Sequence, residues 1–171
     1  MNLLPITLLL GLSFVSLPQD PDQAADAERL LQTLQATGLH FEKSPSGTSY
    51  RLRYDHEGGR QQLVLVTAAA NRPADLVMHT VYTTVWTGAA PPDEALLVKV
   101  FSSTKKIGCF YLAEDDKVWA ILFRATFDAT GLADGTLAPA VAAKRLQETI
   151  EFVNEVGEEM DAELNGELDI R

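Results

Sequence analysis

The side chains able to do chemistry in this 171-residue chain are few and scattered. Nucleophilic hydrolysis needs a Ser or Cys, a His to take its proton, and an acid to orient that His. The chain has three histidines, His40, His56 and His79, and no Gly-x-Ser-x-Gly turn. Ser46-Gly47 belongs to the plain turn Ser44-Pro45-Ser46-Gly47. His79 falls inside a β-prone run and reads as a hydrogen-bonded or exposed strand histidine. His56, beside Glu57-Gly58-Gly59, reads as a solvated hairpin tip, and His40 lies in a short, edge-like strand. The single cysteine, Cys109, sits in the apolar stretch Gly108 to Leu112 and is expected as a small buried hydrophobe. Lys105 and Lys106 nearby keep a reactive-thiol reading open. One thiol makes neither an intramolecular disulfide nor a thiolate zinc site.

Metal sites need convergent His, Cys or carboxylate, and neither His-x-x-x-His nor Cys-x-x-Cys occurs. Asp55, His56 and Glu57 are adjacent, but neighbours in a strand or turn point to different sides. Glu114-Asp115-Asp116 reads as a charged β-turn. Gly58-Gly59 and Gly131 to Gly135 match no phosphate-binding fingerprint. No catalytic residue, cofactor or metal is therefore expected. The aromatic and basic residues say more. Tyr82 and Trp86 fall on one face of a strand at period two, and Trp119 lies on another strand. Such residues usually fill a core, and where they are exposed they mark a binding surface. Arg51 and Arg53 alternate with Tyr50, Leu52 and Tyr54, and form either an ordinary solvent face or a reader of an acidic partner.

Composition narrows the classes. Apolar residues make up 46% and charged residues 22%, which is ordinary globular composition. Net charge is −10, from 14 basic and 24 acidic residues, which disfavours nucleic acid and anionic membrane surfaces. The surplus is concentrated at the end of the chain. From Glu155 onward seven acids face one base, Arg171. That block reads as a solvated helix end and acidic tail over 162–171.

The chain opens with an uncharged apolar run, Leu3 to Leu17, shorter than the roughly 20 residues that cross a bilayer. Its length suits an export signal over 1–18, followed by a polar linker over 19–26. Its n-region has no Lys or Arg, and Ala25-Asp26-Ala27 lies late for a cleavage site. A periplasmic or secreted protein without stable membrane insertion is expected, with a cytoplasmic one as the alternative.

The elements that must position these residues follow from periodicity. Leu30, Leu31 and Leu34 predict a helix over 27–37, closed by Gly38. Strands are expected over 39–43, 48–55, 62–69 and 76–86, joined by short turns. Pro91 and Pro92 open a helix whose stripe is Leu96, Leu97, Val100 and Phe101, with Lys105 and Lys106 at its negative end. Two strands, 109–112 and 117–127, flank the acidic turn. After a polar loop over 128–135, Leu146, Ile150, Val153, Val156 and Met160 line a long last helix. The fold class is α+β. A mainly antiparallel sheet of about six strands packs with helices in the order α-β-β-β-β-α-β-β-α, as a single domain over 27–161.

This order of elements resembles the YbjN-like family, whose domains have the type III secretion chaperone-like fold. The resemblance runs from about Ala24 to Leu164. It rests on Leu39-His40-Phe41-Glu42, the strand Tyr50-Arg51-Leu52-Arg53-Tyr54, the helix Asp93 to Thr104, the hairpin Ile107 to Phe127 and the helix Leu146 to Met160. It implies a small non-enzymatic domain, often regulatory or chaperone-like, and assigns no functional residue. The expected function is a protein-binding or chaperone-like module, as a monomer or a homodimer, with an unknown protein partner. Its candidate surface carries Tyr82, Trp86, Trp119, Arg51 and Arg53. The alternative is a small-molecule-binding domain or cryptic enzyme with a pocket between sheet and helix.

Overall fold

A computed structural model describes residues 21–56, 59–103, 107–115 and 117–165. The expected export signal over 1–18 and the last six residues of the acidic tail lie outside them, as do Glu57, Gly58, Thr104, Lys105, Lys106 and Asp116. The elements run α1 (Pro21–Thr37), β1 (Glu42–Lys43), β2 (Ser49–Asp55), β3 (Gln61–Thr67), β4 (Met78–Gly88), α2 (Glu94–Ser102), β5 (Cys109–Asp115), β6 (Val118–Asp128), α3 (Thr130–Ala133) and α4 (Pro139–Asn165). The class is α+β, and the six strands form one antiparallel sheet in the order β1-β2-β3-β4-β6-β5. None of the described helices is long and apolar enough to cross a membrane.

Helix α1 begins at Pro21, six residues before the apolar spacing starts, so part of the expected linker is helical. Proline suits a first helical position, where its missing N–H would be unpaired anyway. These early turns are held by charge. Asp26, with its side chain fully buried, accepts two bonds from Arg72, at Nε (2.8 Å) and the terminal nitrogen (2.6 Å), and one from Arg29 at 2.8 Å. Arg72 belongs to the β3–β4 connection, so this pairing fastens α1 across the sheet end. The short α3 lies inside a stretch whose polar composition predicts only a loop.

Strand alternation sets the two faces of the sheet. Leu52, Val64, Val66, Val81, Ile121 and Phe123 point inward and are buried. Helix α4 lies across β3, β4 and β6 on that side, with α1 packed against it. Leu30 and Leu34 of α1 meet Leu146, Ile150, Val153, Val156 and Met160 of α4 in one core. Gly157 lets α4 approach closely. A Cβ there would sit 2.9 Å from the Gln62 amide and the Thr83 methyl. Helix α2 starts with Asp93 accepting from the Leu96 N–H at 2.8 Å, and buries Val100 in the same core. All the long helices thus serve one face. The other, formed by alternate residues of every strand, carries mostly half-exposed side chains; Ser49, Ala120 and Leu122 are buried on it.

Candidate functional site

The open face is ordered by the strand register. Arg51 of β2 stands opposite Leu65 of β3, Leu65 opposite Tyr82 of β4, Tyr82 opposite Arg124 of β6, and Arg124 opposite Cys109 of β5. One row therefore crosses five strands and alternates cation, leucine, tyrosine, cation and thiol. Thr84, Leu122 and Tyr111 form the row beside it. Arg124 links the two. Its guanidinium lies 5.3 Å from the centre of the Tyr111 ring, and its Nε donates to the Cys109 sulfur at 3.5 Å. The first contact is a cation–π pair, strongest where water is partly excluded.

The charges of this face are segregated. Arg51, Arg53 and Arg124 stand within β2 and β6, while Glu42, opposite Arg51 on the short edge strand, and Asp55, Asp115 and Asp128, at strand ends, border them. Burial pushes the Tyr82 phenol up, with Tyr111 adding to the shift and the Arg51 cation opposing it. Burial also raises the Tyr111 phenol, against the pull of Arg124. Both phenols stay protonated at neutral pH and can donate. The Arg51 Nε is buried and has no hydrogen-bond partner. Guanidinium groups fit carboxylates and phosphates through paired N–H donors, so the face is equipped to hold an anionic group beside apolar contacts.

The structure separates the five residues singled out in the sequence. Arg51 and Arg53 lie on the open face, Arg51 half-buried and Arg53 exposed, together with Tyr82. Trp86 does not share their face. The β4–β6 register shifts between Thr84 and Trp86, a β-bulge that adds a residue and breaks the period of two. Trp86 consequently stands opposite the inward-facing Ile121 and packs against the core. Gly88 makes room for it, since a Cβ there would lie 2.5 Å from the indole ring. Trp119, two residues from Ile121 on β6, points to the same side as Ile121 and is half-buried.

Two other expectations are corrected. Cys109 is exposed, because β5 is the last strand of the sheet and Cys109 faces outward from it. His56 is tied down rather than solvated. Its Nδ1 lies 2.8 Å from a Glu158 carboxylate oxygen and its Nε2 lies 3.2 Å from the Asn154 side-chain oxygen, both on α4. His79 is buried on the inner side, with Nδ1 donating to the Thr67 carbonyl at 3.0 Å. His40 is exposed at the start of the β1 region. Among the described residues, no group of three His, Cys, Asp or Glu converges on a metal-sized point.

Sequence reasoning passed over Arg124 and Tyr111. The signal was present for Arg124. It follows Ala120 and Leu122 at period two on β6, so it had to face the same way. Its neighbours across β4 and β5 depend on register, which no single strand encodes.

No protein-family model matches this chain, and no curated protein matches it. Among solved structures it is similar to the crystal structure of YbjN from E. coli, a proposed transcription regulator. The two share 14% identity over 80% of this chain and 92% of that one, with a TM-score of 0.49. The likeness is one of fold, the level at which the sequence resembled the YbjN-like family.

Proposed function

We propose that this protein is a non-enzymatic binding module that holds an acidic segment of another protein on the open face of its sheet. The observation that carries this reading is the cation–tyrosine row of half-buried Arg51 and Tyr82 and exposed Arg124, on a chain of net charge −10. A basic patch on an acidic protein stays accessible to anions that the rest of the surface repels. Tyr82 and Tyr111 supply apolar area and phenolic donors at little entropic cost, the composition of an adaptable recognition surface. Export through the apolar run Leu3 to Leu17 belongs to the same proposal, and places the partner outside the cytoplasm.

A photo-crosslinking amino acid placed at Tyr82 tests the surface in the expressing cells. Position Lys144, on the exposed side of α4, is the control. A discrete adduct is expected from Tyr82 and none of that mass from Lys144. The double variant Arg51→Gln, Arg124→Gln should reduce the adduct at least tenfold. An undiminished adduct in the double variant overturns the reading. Intact mass of the recovered chain reports whether residues before the first helix have been removed.

A further inference from the structure

The two edges of the sheet are treated differently by the chain. At one edge β1 is two residues long, carries Lys43 and is followed by Pro45; it covers only Tyr50 and Arg51 of β2, and the rest of that edge is the end of β2, where Arg53 and Asp55 stand as exposed charges. Short strands, lysine and proline are the usual means of blunting an edge. The other edge is β5, seven residues from Cys109 to Asp115, and from Cys109 to Ala113 it has no proline, no charge and no bulge against β6. Its surroundings are apolar as well. Of the six exposed large hydrophobic residues among those described, Val98, Phe101, Ile107 and Leu112 lie on α2, on β5 or just before β5. Phe101 meets Phe110 of β5 with ring centres 6.4 Å apart, so the helix and the strand edge form one patch.

We infer that β5 pairs antiparallel with β5 of a second copy about a twofold axis at Tyr111. Two observations select this occupant. First, the strand is self-complementary in that register. Paired residues must share a face, so only registers centred on a residue are allowed. Centring on Tyr111 sets Phe110 against Leu112 on the inner side and Cys109 against Ala113 on the outer side, so the five uncharged residues 109–113 pair among themselves. Centring on Leu112 would set Phe110 against Glu114 and Cys109 against Asp115. Centring on Phe110 would set Leu112 against Gly108, whose φ of 91° is not extended backbone. Second, the axis is perpendicular to the sheet, so Val98 and Phe101 of each copy flank the new seam on the same side as the cores. An isologous contact of this kind needs no second surface.

The inference does not use the ligand proposed for the open face, and its test is separate. Opposed residues in an antiparallel pair have Cα atoms about 4.5–5.5 Å apart, within disulfide range. Two copies of Cys109 would be four strand positions apart, roughly 13 Å, which is out of range. Mild oxidation of the full-length protein carrying Ala113→Cys should therefore give a covalent dimer. Peptide mapping should place the bond between Cys109 of one copy and the introduced thiol of the other. Unsubstituted protein should stay uncrosslinked on that timescale. Leu112→Lys, at a position 38% exposed, should weaken dimerisation at least tenfold by sedimentation, with an unchanged far-UV spectrum. A monomeric mass for the unsubstituted protein at tens of micromolar overturns the inference. So does a Cys109–Cys109 bond formed equally in both chains, or a dimer indifferent to Leu112→Lys.

Discussion

At the scale of single residues, burial decides what each polar group can do. His79 is 1% exposed and bonded to the Thr67 carbonyl. Burial lowers its pKa from the ordinary value of 6.5, more than the Thr67 bond and the Asp26 charge raise it. The neutral imidazole is therefore the folded form. As pH falls through 6.5 the unfolded chain takes up a proton that the folded chain refuses, and stability falls. The loss levels off once pH passes below the lowered folded value. Urea midpoints between pH 7.5 and 5 should decline with a limiting contribution of about 1.4 kcal/mol per pH unit from this group. His79→Gln should flatten that part of the profile while lowering stability at pH 7.5. An unchanged slope would show that His79 is not the group responsible. Residue identity alone could not reveal this. Period two put His79 in a strand, but which side of the strand α4 covers is a property of the assembled sheet.

At the scale of elements, helices and strands were largely legible, because apolar spacing of 3.6 and 2 reports burial directly. The α+β order, the six strands and the long last helix all follow from it. The elements that escaped are those whose cause is not apolar. The first turns of α1 have no hydrophobic stripe and are held by Arg72 on Asp26; the β4 bulge moves Trp86 to the core without changing its spacing from Tyr82. Close approach is similarly silent in a sequence. Gly157 lies in α4 where helix propensity alone would favour alanine by about 1 kcal/mol. In the folded protein that methyl would press on Gln62 and Thr83 at 2.9 Å, an overpacking that costs typically 1–3 kcal/mol. The inserted methyl outweighs the propensity gain. Gly157→Ala should lower unfolding free energy by about 1 kcal/mol in urea titration, and a stabilised variant would mean that α4 can lift from the sheet without penalty.

At the scale of the whole molecule, the layers explain why a face is available at all. A single sheet with its long helices on one side leaves the opposite side to water or to a partner, and here that side carries the Arg51–Tyr82–Arg124 row. The candidate site was only half legible in the sequence for the same reason. Arg51, Arg53 and Tyr82 could be read from their own strands, whereas Arg124 and Tyr111 join them only when five strands are laid in register. The difference between β1 and β5 has a consequence for assembly. In the language of polymerisation, a sheet bare at both edges is a bifunctional monomer, and its growth has no natural end. This chain has one long uncharged edge. Whatever adds at β5 leaves, on the far side, only two residues of β1 and the charged end of β2 at Arg53 and Asp55 in place of a second reactive end. Light scattering across a concentration series should therefore climb to the mass of two chains and hold there; a continued climb would reveal a second open edge. The blunt strand is what turns an otherwise fibre-forming geometry into one that terminates after a single step.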